Sequence, residues 1–349
     1  MKKLKFTLLM MMILFFGLGL DIKGQGNKEG INIGESKLEK YQKKEILFLK
    51  WGKGKNEIGL KKVITPKEET YNDKEFIQCY GPSTFYIDEK NNIFIDDGQN
   101  KRIFIVDNKK TIKTIYYYEN DFNISDIFIN KKGDLFFIKT PKKVKITKNN
   151  KPEEKLIFFS TNGKKFEYKK NNDEPVVYVR GNKFFSNKGE IIFEIKDKNI
   201  NNYDDNKPII VMHKDIKIDF FEKKEIRINT TKIKEWIKNK DYNDDLIIHF
   251  PTKGEGIRIT PAFIDFDKSG NIYISFGYTD IHKNKYIISE LELRKYDLKG
   301  NLLSIIPLEL DMCAKDSWEN FIRINDDGDV FYMWSDDKGV HLEKWEKEK

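Results

Sequence analysis

The stretch FYIDEKNNIFIDDGQNKRIFIVDN, residues 85–108, contains the pattern on which the fold of this chain depends. Its three short apolar segments are separated by two polar segments that contain Asn or Gly. Short runs of Ile, Phe, Val and Tyr bounded by turn residues are typical of antiparallel β-strands. The stretch therefore predicts three consecutive strands joined by two tight turns.

The first of these hairpins has further copies elsewhere in the chain. Aligned on Asp88, Asn130, Asp267 and Asn325, the copies are FYIDEKNNIFI (85–95), IFINKKGDLFF (127–137), IDFDKSGNIYI (264–274) and IRINDDGDVFY (322–332). The aligned Asp or Asn can bond its own backbone two residues on, and the following Gly or Asn supplies the left-handed turn conformation. The apolar triplets after each turn lack polar alternation, so these strands are expected to be buried on both faces.

A second class of hairpin follows the first. Its copies are IVDNKKTI (105–112), FFSTNGKKF (158–166), FFSNKGEI (184–191) and KYDLKGNL (295–302). Two hairpins per repeat make a four-stranded unit, and the spacing leaves room for two degenerate units between about residues 170 and 258. The pattern predicts an all-β, six-bladed β-propeller, with five or seven blades as alternatives. Residues 230–240 are expected to form either a short helix or an edge strand.

The two ends of this repeat region predict how the ring closes. The last repeat offers three strands, and residues 44–52 form a strand that has no hairpin partner. We expect this strand to complete the last blade, which places Leu47 and Leu342 in one sheet. A ring closed in this way leaves no open sheet edge for a second molecule.

The N-terminal residues predict export. Three lysines precede an apolar run over residues 6–20, and small and polar residues follow it, which is typical of a secretory signal. The run is short for a membrane span, so a retained anchor is the less favoured alternative. The predicted organisation is a signal peptide over 1–24, a polar lead-in over 25–43 and one propeller domain over 44–349. The mature protein is expected to be periplasmic, in the cell envelope or secreted, and monomeric.

Charge and composition argue against a nucleic-acid partner. The formal net charge is +8, but only six of the 64 basic residues are Arg. Proteins that read nucleic acids usually use Arg, whose planar fork matches phosphate and guanine. The lysine excess accompanies an abundance of Asn, Ile and Phe, the residues favoured by AT-rich codons.

The segment DDGQNKRIFIVD resembles the NHL-repeat family of six-bladed β-propellers. Asp97, Asn100, Arg102 and Ile103 fall on the family's Asp-x-x-Asn-x-Arg-Ile pattern. FLKWGKGKNEIG and YGPSTFYID are similar to its entry strand, glycine-rich turn and Pro-led inner strand. The resemblance implies the fold but no particular activity, because such propellers include enzymes, receptors and scaffolds. The residues themselves predict a structural role, in which Asp97 and Arg102 form an ion pair across the turn at 98–101.

Catalytic signatures are mostly absent from the sequence. There is no Gly-x-Ser-x-Gly, His-Glu-x-x-His or Cys-x-x-Cys motif, and no phosphate-binding glycine loop. DFDKSGNIYISF begins like a calcium loop, but its twelfth residue is Phe276, where a bidentate Glu is needed. The histidines are predicted to be surface or sheet residues rather than metal ligands; they are His213, His249, His282 and His341.

The two cysteines, Cys79 and Cys313, precede the inner strands of the first and last blades. Those blades are neighbours in a closed ring, and export permits a disulfide between them. A disulfide needs Cα atoms within about 7 Å of each other, so two separate buried thiols remain the alternative.

Candidate ligand-binding residues lie in the loops before the inner strands, which converge at one end of a propeller channel. They are Tyr80, Asn120, Asp121, Asp173, Asp204, Asp205, Arg258, Trp318, Glu319 and Asn320. Aromatic, amide and carboxylate groups suit a saccharide, a peptide or a cation.

These residues leave three hypotheses for function. The first is a non-catalytic module of the bacterial envelope that binds a ligand or protein at the channel mouth without a cofactor. The second is a metal-dependent hydrolase or lactonase with Ca²⁺ or another divalent ion in the channel, held by Asp204, Asp205 and Glu319. The third is a protein partner that docks on the outer edge of a blade.

Overall fold

The computed structural model describes part of the chain. The described residues are 38–65, 76–88, 90–107, 109–116, 122–129, 135–141, 155–159, 165–169, 178–180, 183–185, 191–194, 215–220, 222–238, 245–280, 288–311 and 321–348. They all belong to the second of two compact units, which spans Leu38–Lys349. The predicted signal peptide and most of the predicted lead-in lie outside the described residues.

The described chain consists mostly of β-strands. The strands of its first half are β1 (Tyr41–Trp51), β2 (Glu57–Ile58), β3 (Lys61–Thr65), β4 (Phe76–Tyr80), β5 (Phe85–Ile87), β6 (Ile93–Asp97), β7 (Arg102–Val106), β8 (Ile112–Tyr116), β9 (Phe122–Ile129), β10 (Leu135–Pro141), β11 (Lys155–Phe159) and β12 (Lys165–Lys169). Those of the second half are β13 (Tyr178–Arg180), β14 (Lys183–Phe185), β15 (Ile191–Glu194), β16 (Ile216–Asp219), β17 (Glu225–Asn229), β18 (Asp245–His249), β19 (Ile257–Phe266), β20 (Ile272–Asp280), β21 (Ile288–Tyr296), β22 (Leu302–Leu308), β23 (Ile322–Ile324), β24 (Val330–Ser335) and β25 (Gly339–Lys347).

The strands form small sheets that follow one another along the chain. Sheet I contains β5–β8, sheet II β9–β12, sheet III β13–β15, sheet IV β16–β18 and sheet V β19–β22. Sheet VI has the order β2-β1-β25-β24-β23, and β3 pairs with β4 in a separate two-stranded ribbon. Sheets I to V are antiparallel throughout, as the hairpin pattern predicts.

The predicted turn chemistry is present in the described hairpins. The Asp88 Oδ1 atom accepts the backbone N–H groups of Lys90 at 2.9 Å and Asn92 at 2.7 Å, and Asn91 has a φ of 60°. Asp267 makes the corresponding bonds in sheet V. The turn at Asn130 lies outside the described residues.

The second class of hairpin uses the same turn. Asp107 Oδ1 accepts the backbone N–H groups of Lys109 and Thr111, and Asp297 Oδ1 accepts those of Lys299 and Asn301. One local hydrogen-bond pattern therefore closes both hairpins of a repeat.

Sheet VI joins the two ends of the described chain. β1 pairs antiparallel with β25, and Leu47 lies directly opposite Leu342, as the sequence predicts. β1 begins at Tyr41, earlier than the predicted start at residue 44, because the pairing with β25 continues to Lys347. Lys43 gains an ion pair with Glu343 at 3.1 Å in this extension.

Several neighbouring sheets contact each other directly. The Lys268 N–H donates to the Asp326 carbonyl at 2.9 Å between sheets V and VI. Arg323 Nη2 donates to Thr84 Oγ1 at 3.0 Å, which connects sheet VI to the residue that precedes sheet I. β5 and β9 contact each other between sheets I and II.

A short helix occupies the segment in which the sequence allowed a helix or an edge strand. This helix, α1 (Thr231–Ile237), connects β17 to β18. Its Ile233 is buried, and the Trp236 ring packs edge-on against Phe266 of sheet V at 5.5 Å. No helix in the described part of the chain is long and apolar enough to cross a membrane.

The core lies between the sheets. β6 is buried at every position and β20 at all positions but its last, which confirms strands buried on both faces. One cluster joins sheets V, VI and I and includes Leu49, Phe85 and Leu293. A second cluster joins sheets IV and V and includes Ile228 and Phe276.

Candidate functional site

The described residues include two members of the predicted ligand-binding set, Tyr80 and Arg258. The remaining members, Asn120, Asp121, Asp173, Asp204, Asp205, Trp318, Glu319 and Asn320, lie outside the described residues. Tyr80 ends β4 and Arg258 is the second residue of β19, where its side chain is exposed. Among the contacts of the described residues, none joins Tyr80 to Arg258.

Tyr80 presents an aromatic ring to solvent close to the start of sheet I. Its residue exposure is 41 %, and Lys61 of β3 lies directly opposite it in the register of the ribbon. Directly opposed residues of an antiparallel pair have side chains on the same face. An exposed phenol ring and an exposed ammonium group are therefore neighbours.

The loop between Tyr80 and β5 is fixed by hydrogen bonds. Ser83 Oγ donates to Asp96 Oδ2 at 2.6 Å, and Asp96 is buried in β6. Thr84 is fully buried and accepts from Arg323, whose guanidinium group also lies 5.4 Å from the Phe85 ring centroid. Sequence reasoning missed Arg323 because its partner is 239 positions away and no local motif connects them.

A buried ion pair holds a second loop at the same end of sheet I. Arg102 Nε donates to Asp97 Oδ2 at 2.8 Å, and both side chains are almost fully buried. Asp97 Oδ1 accepts the Gly59 N–H at 2.8 Å. Arg102 Nη2 donates to the carbonyl oxygens of Gly54, at 2.8 Å, and Glu57. The ion pair across the turn is the predicted one, and in addition it binds the backbone of the glycine-rich loop over residues 52–59.

Asn100 completes this arrangement. Its Nδ2 atom donates to the Gly52 carbonyl and to Asp97 Oδ2, both at 2.9 Å. The three polar residues of this pattern, Asp97, Asn100 and Arg102, therefore join the end of β1 to sheet I. The sequence indicated the pattern but not that its partner was the loop at 52–59, because that contact is tertiary.

In each sheet, we define the entry end as the end at which the sheet's first strand in chain order begins. For sheet VI, we take β23 as this first strand. In sheet I the entry end includes the β6–β7 turn, because β6 runs antiparallel to β5. In sheet VI it includes the β24–β25 turn, where Trp51 Nε1 donates to the Asp336 carbonyl at 2.8 Å. Tyr80, the loop at 52–59 and the turn at 336–338 thus lie at the entry ends of neighbouring sheets.

Exposed lysines surround this loop. They are Lys50, Lys53, Lys55, Lys61, Lys62 and Lys338, which we call the basic patch. Within the described part of the chain, none of them forms an ion pair with a carboxylate. Glu57 is the one acidic residue within 50–62, and its Oε2 atom accepts the Gly54 N–H at 2.7 Å. The patch therefore carries a local excess of positive charge.

Polar groups between sheets V and VI form ion pairs and hydrogen bonds with one another. Lys295 Nζ lies 2.8 Å from Glu39 Oε2, and Tyr273 donates to Asp267 Oδ2 at 3.1 Å. Burial, together with the nearby Tyr41 hydroxyl and the Asp267 carboxylate, raises the pKa of the Tyr273 phenol far above its ordinary value. A neutral Tyr273 remains a hydrogen-bond donor in this interface at all physiological pH values.

The described histidines and cysteine lie in or beside sheets. His341 Nδ1 is 2.7 Å from Glu45 Oε2, and its ring stacks on Trp334 at 4.2 Å; His249 ends β18. Cys79 is a buried free thiol, while its predicted partner Cys313 lies outside the described residues, so the disulfide stays a prediction. His213 and His282 also lie outside them.

The calcium-like segment is occupied by a hairpin turn. Asp267 uses Oδ1 and Oδ2 to bond the backbone and side chain of Asn271, as the repeat requires. The described residues contain no group of three or more His, Cys, Asp or Glu residues that could hold a metal ion.

Comparison with known proteins gives remote structural likenesses. No protein-family model and no curated protein sequence matches the chain. A catalytically inactive virginiamycin B lyase from Staphylococcus aureus with quinupristin is 13% identical, with a TM-score of 0.39 over 88% of this chain and 98% of that chain. A selenomethionine form of the same lyase is 13% identical, with a TM-score of 0.35 over 82% and 99%. The AfRom2 CNH domain is 11% identical, with a TM-score of 0.33 over 88% and 100%. At TM-scores this low, the likenesses support no inference about the activity of this chain.

Proposed function

We propose that the chain is a six-bladed β-propeller in which sheets I to VI are the blades and β1 closes the ring. The order of the sheets along the chain supports this arrangement. The contacts between sheets V and VI, VI and I, and I and II support it as well. The pairing of β1 with β25 then completes the last blade with a strand from the opposite end of the chain.

The proposed function is non-catalytic binding of a ligand at the entry end of this ring, in a protein exported to the bacterial envelope. One observation carries this proposal. The Tyr80 ring is exposed, and at the same end of sheet I the buried ion pair of Asp97 and Arg102 holds the loop at 52–59 in place. A recognition surface that is already ordered loses little conformational entropy when a ligand binds. The anchoring residues Asp97 and Arg102 are themselves buried, so they support the surface rather than contact the ligand.

Binding to arrays of immobilised saccharides and peptides tests this function. The purified protein is compared with a Tyr80→Ala, Arg258→Ala variant and with a Lys109→Gln variant at the opposite end of sheet I. We expect the entry-end variant to lose the strongest array signal and the control to keep it. Mass spectrometry of the ligand after prolonged incubation should recover it unchanged.

Two results would contradict the proposal. A cleaved or rearranged ligand would identify the protein as an enzyme. Loss of binding in the Lys109→Gln variant, together with retained binding in the entry-end variant, would show that the ligand binds at the opposite end of the sheets.

Export is tested separately. N-terminal sequencing of the protein recovered from outside the cytoplasm should show that the segment 1–24 has been removed. A cytoplasmic protein that retains Met1 and the apolar run would contradict the predicted localisation.

A further inference from the structure

We infer that the basic patch and Tyr80 together bind an acidic polysaccharide, one whose sugar units carry carboxylate groups. This inference rests on the proposed function, since it names the ligand class for the same entry-end surface. Its chemical basis is an aromatic ring that can lie against a sugar and ammonium groups that can reach its carboxylates.

The charge of the patch is not neutralised within the protein. Several lysines elsewhere in the described structure are paired with carboxylates, as Lys253 is with Glu290 at 2.7 Å and Lys268 with Asp327. The lysines of the basic patch are exposed, and within the described part of the chain none of them is paired with a carboxylate. Like charges placed close together repel each other and raise the local positive potential, which favours an anionic ligand.

The patch is also held on a rigid support. Lys53 and Lys55 flank Gly54, whose carbonyl oxygen accepts from the buried Arg102 and whose N–H donates to Glu57. Lys61 begins β3 and stands opposite Tyr80. The backbone positions of the charges are therefore fixed, while the long side chains can adjust to a repeating polymer.

The composition of the surface favours a saccharide over other polyanions. All six cations of the basic patch are Lys, whereas nucleic-acid sites favour the planar fork of Arg. A membrane-binding face needs several large apolar side chains, and among the side chains described in β3 and β4 Tyr80 is the one large exposed ring. Lysines on the ribbon strand β3 discourage the addition of a peptide strand.

The test measures binding of the full purified chain to polygalacturonate, with neutral dextran as the uncharged polymer. A Lys53→Gln, Lys55→Gln, Lys61→Gln variant removes charge from the patch. Its matched control is Lys90→Gln, Lys109→Gln, Lys223→Gln, which removes the same charge from exposed positions in turns at the opposite ends of sheets I and IV. Titration calorimetry at low and high salt gives the affinities.

We expect polygalacturonate to bind and dextran not to bind. The patch variant should bind roughly tenfold more weakly, because it loses three exposed charge pairs of modest strength. Tyr80→Ala should weaken binding by roughly fivefold through the loss of ring contact. The control variant should bind like the unchanged protein, and replacing the same three patch lysines by Arg should preserve affinity.

Three results would overturn the inference. One is equal weakening in the patch and control variants, which would indicate non-specific attraction by net charge. Another is tighter binding of a single-stranded oligonucleotide or of vesicles containing phosphatidylglycerol than of polygalacturonate. The third is absence of polygalacturonate binding; if an array ligand is then still lost in the entry-end variant, the proposed function stands and only the ligand class is wrong.

Discussion

At the scale of single residues, burial decides what an ion pair contributes. Arg102 and Asp97 are joined at 2.8 Å with both side chains almost fully buried. Lys268 and Asp327 are also paired, but their side chains are 61% and 68% exposed. Removing one partner of a buried pair leaves an uncompensated charge, whereas an exposed partner is replaced by water.

Arg102→Ala is therefore expected to reduce the free energy of unfolding by roughly 3–5 kcal/mol. Lys268→Ala, at the exposed pair, should have a much smaller effect. Urea unfolding followed by circular dichroism measures both values. Equal effects in the two variants would show that the buried pair does not hold the loop at 52–59.

Glu39 makes part of the stability of the chain depend on pH. Burial by itself would raise the pKa of its carboxyl group, but hydrogen bonds from Lys295 and Lys347 hold the pKa below its ordinary value of 4.5. A carboxyl group with a lowered pKa in the folded state contributes stability above its unfolded pKa. That contribution is lost as the pH falls through the lower, folded pKa.

We therefore expect Glu39→Gln to lower the melting temperature at pH 7 and to have a smaller effect at pH 3. Glu348→Gln, at an exposed position near the same chain segment, is the control. Calorimetry across this range measures the difference. A Glu39→Gln effect that is the same at both pH values would contradict the role of the carboxylate.

At the scale of elements, several of the described hairpins depend on one turn position with a left-handed backbone. Gly328 has a φ of 84° in the β23–β24 turn. A Cβ atom there would lie 2.8 Å from the Tyr273 hydroxyl and 3.0 Å from Asp267 Oδ2. The glycine therefore serves both the turn of sheet VI and its contact with sheet V.

Gly328→Ala is expected to destabilise the protein by more than about 2 kcal/mol, because the unfavourable backbone and the close contact act together. Gly254→Ala is the matched control, since nothing lies within 4 Å of a Cβ atom at that position. Its effect should stay within about 0.5 kcal/mol. Thermal unfolding of the two variants measures this difference in stability. Similar melting temperatures would contradict the role proposed for Gly328.

At the scale of the whole molecule, β1 covers a strand that would otherwise be an open edge. β25 bonds to β24 on one side and to β1 on the other. An uncovered strand of nine residues is a template for pairing with a second molecule. The N-terminal strand should therefore control association as well as stability.

A chain that lacks residues 1–51 is expected to form dimers or larger species through β25. A chain that lacks only residues 1–37 is the control and should behave like the full chain. A synthetic peptide of residues 38–51 should restore the smaller species when added. Light scattering after size exclusion measures this, and a stable monomer without β1 would argue against closure by this strand.

The local elements could be predicted from the sequence alone, because their causes are local. Asp88 and Asp267 bond backbone groups two and four residues on, so a single segment encodes each turn. Strands buried on both faces were predictable from their unbroken apolar runs. The pairing of β1 with β25 was predictable from the unpaired strand and the incomplete last repeat.

The roles of the polar residues near the entry end depend instead on long-range packing. Arg102 was placed in a motif by sequence, but its carbonyl partners on the loop at 52–59 depend on how β1 packs beside sheet I. The joining of Arg323 to Thr84 and the position of Lys61 opposite Tyr80 also depend on pairing between residues that are not neighbours in sequence. Long-range packing sets these distances, and no local pattern of residue types encodes them.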